Sequence, residues 1–342
     1  MKNRGIAVIG CGTIGEFHVR AIRDIPDARL VGISAQPESR AREVAGREGC
    51  LGTADYRDLL RLPEVDLVTI ATPSGSHGKI ALEALDAGKH VLVEKPMAMT
   101  AEEASRVILR AREKGLTLSV VSQRRFEEQH QEIRRALDGD ALGRLLVLEV
   151  SCPFYRGQEY YGLAAWRGTK AEVGGALMNQ GIHLIDLMLW FGGRARRVYG
   201  QTATRTHRIE AEDVGLGLVA FESGAFGSVL ASTSIQPGFA PALAIYGEKG
   251  AIREEGAAIV HWTVPGIPAP APEGSASGGG GVRDPKAISH LYHRLQFEDV
   301  LEAIERGRPP AVTGEDGLRA VQFVESIYRS AETGLPVDLE HR

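Results

Sequence analysis

Ile6-Ala-Val-Ile-Gly10-Cys-Gly-Thr-Ile-Gly15-Glu-Phe-His18 decides how this chain begins to fold. Its four leading apolar residues read as a buried strand, and an amphipathic helical pattern near 14–24 starts directly behind the glycines. Gly10 permits a tight turn, Gly12 lets a ligand approach the backbone, and Gly15 lets helix and strand pack closely. With Thr13 and Ile14 they form a loop at a helix N-terminus, where free N–H groups and the positive dipole end suit a pyrophosphate. Three glycines alone fit any strand-to-helix turn. A strand before, a helix after and a second strand about 20 residues on predict a dinucleotide site.

The second strand runs out through Gly32-Ile-Ser-Ala-Gln-Pro-Glu-Ser-Arg40. A strictly NAD-dependent site places a carboxylate at such a tip, on the ribose 2′-hydroxyl. Here the tip holds Ser34, Ala35 and Gln36. A 2′-phosphate meets no repulsion there, and Arg40 or Arg42 stands ready to pair with it, so NADP is expected ahead of NAD. Both arginines fit a solvated helix face equally well.

Outward from this loop, residues 1–120 alternate apolar runs with amphipathic stretches. The runs are Ile6–Ile9, Leu30–Ile33, Leu67–Ala71, His90–Val93 and Leu116–Val121, with helical patterns near 14–24, 38–48, 76–87 and 101–114. This predicts an α/β Rossmann domain, a parallel sheet with helices on both faces, over 1–122. From 123 to 342 the texture is α+β: helices near 127–137, 176–191, 289–306 and 314–333, a strand at 145–152, and six segments of β period between 197 and 262. The Pro/Gly/Ser/Ala-rich stretch 265–285 reads as a loop.

Composition narrows the classes. A chain of 342 residues suggests about two domains, and 43% apolar and 25% charged residues are ordinary for a globular protein. A net charge of −4 gives no footing for nucleic acid or an anionic membrane. Cys11, Cys50 and Cys152 are odd in number and form no metal or disulfide pattern, so no metal is expected and a reducing, cytoplasmic location is. The N-terminal run Gly5–Gly12 is too short and glycine-rich for a secretory signal, and no run approaches the ~20 apolar residues of a membrane span.

Two clusters carry candidate chemistry. In His90-Val-Leu-Val-Glu-Lys-Pro96 a lysine stands at the carboxyl end of a strand, where open α/β sheets collect their ligands. Pro96 fixes the turn behind Lys95, and a lysine beside a cationic ring exchanges protons near neutrality. Taken alone, Lys95 is equally an ordinary surface lysine. In Gly174-Gly-Ala-Leu-Met-Asn-Gln-Gly-Ile-His-Leu-Ile-Asp186, a helix from about Leu177 sets Asn179 and His183 four apart on one face, with Asp186 a turn on to orient the imidazole. A core histidine in an apolar helix is the alternative. The glycines ahead of the helix allow close approach of a ligand.

The combination of GCGTIGEFH, ATPSGSH (71–77), AGKHVLVEKP (87–96) and GGALMNQGIHLIDL (174–187) resembles the Gfo/Idh/MocA oxidoreductases, in order and over nearly the whole chain. The resemblance implies a C-terminal domain with a large, mostly antiparallel sheet that builds a homodimer or homotetramer. It implies that Lys95 touches the substrate hydroxyl, often beside a cis Lys–Pro bond, and that His183 is the acid/base. Ala71, Thr72, Pro73, His77, Glu94 and Gln123 would line the nicotinamide and its ribose. Many members carry Asp where this chain has Asn179; an amide orients a hydroxyl but takes no proton, which leaves His183 as the favoured base. The tyrosine-rich stretch 155–161 and Trp166-Arg-Gly-Thr169 look like a branch that includes nucleotide-sugar 3-dehydrogenases.

Around these groups, His18 is expected to pack the first helix, and one of Arg124 and Arg125 to reach an anionic or polyol substrate while the other is solvated. Tyr155, Tyr160, Tyr161 and Trp166, with Arg156 and Arg167 among them, read as a sugar-stacking wall or as core. The expected activity is hydride transfer to or from a secondary alcohol carbon of a sugar, cyclitol or nucleotide-sugar-like small molecule. Two rivals are a cofactor-binding sensor without chemistry, which Lys95 and His183 argue against, and a redox-cycling glycosidase, which would release a sugar without net reduced nicotinamide.

Overall fold

The computed structural model describes residues 3–271 and 289–339. They divide into two compact units, one of residues 1–123 with 290–318 and one of 124–289 with 319–342.

The first unit is built on strands β1 (Arg4–Ile9), β2 (Ala28–Ser34), β3 (Leu51–Thr53), β4 (Leu67–Ile70), β5 (His90–Val93) and β6 (Leu118–Val120). They form one sheet in the order β3-β2-β1-β4-β5-β6, every pair parallel. The order reverses between β1 and β4, the switch point at which doubly wound sheets bind ligands. Helices α1 (Thr13–Arg23) and α2 (Glu38–Glu48) lend apolar residues to one core, and α3 (Tyr56–Leu60), α4 (His77–Asp86) and α5 (Ala101–Lys114) to another. The central strands are buried nearly throughout, as the continuous apolar runs require. Gly115 closes α5 in the left-handed region at φ 64°.

The second unit carries α6 (Glu128–Asp138), β7 (Leu145–Pro153), α7 (Gln158–Gly162), α8 (Ile182–Gly192), β8 (Ala195–Ala203), β9 (Val214–Phe221), β10 (Phe226–Ser232), β11 (Ala242–Gly247), β12 (Ala251–Glu255) and β13 (Ala258–Trp262). Two helices follow, α9 (Leu291–Arg306) and α10 (Gly314–Thr333), and then β14 (Val337–Asp338). Eight strands form one sheet in the order β13-β12-β11-β7-β10-β9-β8-β14, in which only β7 and β10 run parallel. In β9, Gly215, Gly217 and Val219 are buried while Leu216 and Leu218 are exposed, the period of a strand with one packed face. α8 is apolar apart from His183 and Asp186 and packs on β7.

α9 lies in the first unit, where Phe297, Val300 and Leu301 join the core of α1 and α2. Of the stretch read as a loop at 265–285, residues 272–285 lie outside the described residues. No helix among the described residues is long and apolar enough to cross a membrane.

Candidate active site

In the first unit the glycine loop is built as its spacing demands. Gly10 has φ +98°, and a Cβ there would overlap the Ala71 and Thr72 backbone; a Cβ on Gly15 would overlap the Gly10 carbonyl oxygen. Around Gly12, by contrast, nothing lies within 4 Å of where a Cβ would stand, and Gly12, Thr13 and Ile14 are exposed. Gly12 begins α1 without a side-chain cap, so the first N–H groups of the helix open onto that space. Gln123 Oε1 is buried and lacks a partner among the described residues, an acceptor suited to a ligand donor. These features fit a bound dinucleotide.

Lys95 leaves the end of β5 half-buried, and its peptide bond to Pro96 is cis. The backbone on each side is tied down. Glu94 accepts the Lys95 N–H through Oε2 at 3.2 Å, and its Oε1 accepts from His18 Nε2 at 3.0 Å. His18 Nδ1 faces the Thr69 hydroxyl at 2.8 Å. Burial alone would raise the Glu94 carboxyl, but the His18 hydrogen bond together with the charges of His18, His293 and Lys95 outweighs it and holds the group at about 2. His293 of α9 packs beside His18 with ring centres 5.6 Å apart, and burial pushes it down to about 4. His18 therefore does more than pack α1: it links the glycine-loop helix to the lysine turn. His77, expected at the nicotinamide, is buried with Nδ1 2.7 Å from the Pro96 carbonyl and Nε2 2.9 Å from the Thr72 carbonyl. Thr72 Oγ1 meets Ser76 Oγ at 2.7 Å.

At the tip of β2, Ser34 is buried and donates to the Ala54 carbonyl at 3.2 Å. Arg40 is held by Glu16, by Glu43 at 2.9 Å and by the Cys11 carbonyl at 3.3 Å, and Arg42 by Glu38 at 2.6 Å. Arg42, 71% exposed and paired with its helix neighbour Glu38, is the solvated helix residue that the sequence allowed, whereas Arg40 is part-buried and held by three groups.

In the second unit, Asn179 shares a small cleft with Tyr160, Tyr161, Arg167 and the Gly174-Gly175 backbone. The segment carrying it is not the uniform α-helix expected: Leu177–Gly181 winds as a π-turn, and α8 starts at Ile182, before His183. Such turns gather at functional sites. Arg167 lies over the Tyr160 ring, 4.1 Å from its centre, and its Nε is buried without a partner among the described residues. Tyr161 Oη meets Thr233 Oγ1 at 2.7 Å, and Arg156 also approaches Tyr160, at 5.6 Å. Tyr155 and Trp166 are exposed.

Two expectations need correction. Asp186, read as the group that orients His183, gives its two oxygens to Arg125 at 2.6 and 2.8 Å, so Arg125 is buried and ion-paired where one of the two arginines was expected to be solvated. Arg124 is held by Glu127 at 3.2 Å and Glu254 at 2.6 Å, so two carboxylates already answer the charge read as a substrate contact. The room at Gly175 is likewise taken from within: a Cβ there would overlap the Glu212 carboxylate. Glu212 and Asp213 were missed. Asp213 is fully buried and accepts the N–H groups of Arg205, Thr206 and His207 at 2.7 to 3.0 Å, which sets the His207 ring 4.8 Å from Tyr161. Two adjacent acids before an alternating strand were the only signal available.

Residues 4–122 match the model of an oxidoreductase family with an NAD-binding Rossmann fold, and residues 130–253 match the GFO/IDH/MocA C-terminal domain. A crystal structure of the WlbA dehydrogenase from Bordetella pertussis, in complex with NADH and UDP-GlcNAcA, is 32% identical, covers 100% of both chains and superposes with a TM-score of 0.88. Two enzymes of Bacillus subtilis are similar over 98% of this chain and 96% of their own: an NAD(+) scyllo-inositol 2-dehydrogenase at 26% identity and the NADP(+) scyllo-inositol 2-dehydrogenase IolW at 25%. With both domain models matched in order and a solved relative of this identity along the full length, the chain belongs to the Gfo/Idh/MocA family of oxidoreductases.

Proposed function

We propose that this oxidoreductase moves a hydride between a nicotinamide dinucleotide and a secondary alcohol carbon of an anionic sugar, a nucleotide sugar before a free cyclitol. The observation that carries the substrate class is Arg167, stacked on Tyr160 beside Asn179 with a buried Nε that lacks an acceptor among the described residues. A carboxylate or phosphate oxygen supplies that acceptor; a neutral polyol supplies only a weaker one. The WlbA relative bound to UDP-GlcNAcA supports the same choice.

When bound, the nicotinamide accepts or supplies the hydride. Lys95 hydrogen-bonds the reacting oxygen, held in place through Glu94 and His77. His183 takes the proton as the alcohol is oxidised, and Asn179 orients the hydroxyl without taking its proton. Gly10, Gly12, Thr13, Ile14 and Gly15 cradle the pyrophosphate.

For the cofactor, the lean to NADP rested on arginines whose charge the helix glutamates now answer. To take a 2′-phosphate, Arg40 would have to leave Glu16 and Glu43, so we propose NAD(H). The test is turnover on a panel of UDP-GlcNAcA, scyllo-inositol and myo-inositol with each nicotinamide, alongside the two cofactor dissociation constants. Net reduced nicotinamide with the nucleotide sugar, and tighter NAD, are expected. Sugar release alone, no turnover, or NADP binding about 100-fold tighter would each overturn its part.

The sheet of the second unit presents Tyr199, Leu216 and Leu218, the two leucines at least half exposed, on an open face lined mostly by apolar residues. Such a patch favours cover by a second copy, and we propose a homo-oligomer. Light scattering that returned the mass of one 36.8 kDa chain would exclude it.

A further inference from the structure

The segment that carries Asn179 and His183 begins with N–H groups that no residue of its own helix can satisfy. Both of the first two are met by one residue from far along the chain. Glu212 accepts the Ala176 N–H through its carbonyl at 2.9 Å and the Leu177 N–H through Oε1 at 2.9 Å. The same Oε1 takes a hydrogen bond from the Tyr328 hydroxyl of α10 at 3.0 Å. The carboxylate packs on the Cα of Gly175, which lines the cleft with Asn179, and any larger residue at 175 would displace it. A carboxylate at a helix start is also favoured by the helix dipole.

We propose that Glu212, braced by Tyr328, is the positioning residue that sets where Asn179 and His183 stand. The proposal rests on the dehydrogenase reading for its kinetic consequence, but its geometric consequence stands apart from any activity. Burial raises the Glu212 carboxyl to about 7 against the pull of the Leu177 hydrogen bond, as a group this enclosed requires. Glu212 touches no reacting atom in this scheme. Its loss lets the first turn unwind and shifts the two side chains, and a displacement near 1 Å costs roughly 100-fold in turnover.

The test compares Glu212→Ala, Glu212→Gln and Tyr328→Phe in the full chain. Hydrogen exchange of the peptide spanning 175–183 is measured without substrate or cofactor, and kcat and KM on whichever substrate of the panel the wild type turns over. In Glu212→Ala we expect faster exchange at 175–183 and kcat lower by about 10- to 100-fold, with KM and cofactor affinity within about threefold. Glutamine keeps an oxygen for Leu177 and Tyr328, so it recovers most of both losses. Tyr328→Phe, which removes one hydroxyl and keeps the ring, gives a smaller change of the same sign should the alanine variant fail to fold.

Unchanged exchange at 175–183 overturns the proposal whether or not the wild type is active. So does faster exchange with kcat unchanged in an active enzyme, or a glutamine variant no better than alanine. A wild type without turnover on the panel refutes the dehydrogenase reading instead, and leaves the exchange result to decide the role of Glu212.

Discussion

Replacing Lys95 by alanine is expected to remove turnover while leaving the dinucleotide bound. A positioned proton donor or acceptor contributes about 10²–10⁴-fold, so kcat falls by at least that range. The loop proposed to cradle the pyrophosphate is the Gly10–Gly15 backbone at the start of α1, not the ammonium, so the dissociation constant for the nicotinamide is expected to move little. The effect is this large because the turn around Lys95 is held from three sides: Glu94 on its N–H, His18 on Glu94, and His77 on the Pro96 carbonyl. Stopped-flow turnover and a cofactor titration on the same preparation check it; an alanine variant that keeps its rate removes Lys95 from the mechanism.

The largest effect on stability is expected from Glu254→Ala. Glu254 is 1% exposed and sits between Arg124 at 2.6 Å and His130 Nε2 at 2.6 Å. Its removal leaves Arg124 and His130 to share Glu127, at 3.2 Å from each, as their one remaining carboxylate, and deleting a member of such a buried charge network costs about 3–5 kcal/mol. Exposed Glu255, paired only with Arg253 in the same strand, should change stability by no more than about 0.5 kcal/mol when made alanine. Urea unfolding of the two variants separates them, and equal midpoints would contradict the account.

The same network sets a pH window. Burial alone would push His130 down, but Glu254 and Glu127 outweigh it and raise the imidazole from 6.5 to about 9. That stabilisation is complete below 6.5 and is lost as pH rises toward about 9. Burial likewise would raise Glu254, yet His130 and Arg124 hold it down from 4.5 to about 2, so its contribution is complete above 4.5 and is lost as pH falls toward about 2. Glu254→Ala should flatten both flanks.

Local signals were legible and distant pairings were not. The glycine loop, the runs that became β1, β2, β4 and β5, and the alternation in β9 depend on neighbours within a few residues, and pattern alone recovers them. The strand β3 is three residues long and α3 five, too short for a period to register. Asp186 stands one helical turn from His183 in sequence, yet its carboxylate goes to Arg125, 61 residues away. Glu212 reaches Leu177 across 35 positions and Glu254 reaches His130 across 124. No spacing rule encodes such pairs, because burial, not proximity in sequence, makes the partner obligatory. The π-turn at 177–181 was hidden for a related reason: its first N–H groups are answered from outside the segment. Glu43 stands one turn from Arg40 in the same helix, but Glu16 reaches Arg40 only once α1 and α2 lie side by side, and that pairing is not visible in the sequence.

Direct transfer of hydrogen from a carbinol carbon to a nicotinamide is most sharply tested by isotope. The panel substrate with the highest turnover, deuterated at its ring carbons, is incubated with the wild-type chain and oxidised cofactor, and the reduced nicotinamide is examined by mass spectrometry. The account predicts one deuterium on the nicotinamide ring for each alcohol oxidised, in water of ordinary isotopic composition. Reduced nicotinamide carrying only solvent hydrogen would contradict it.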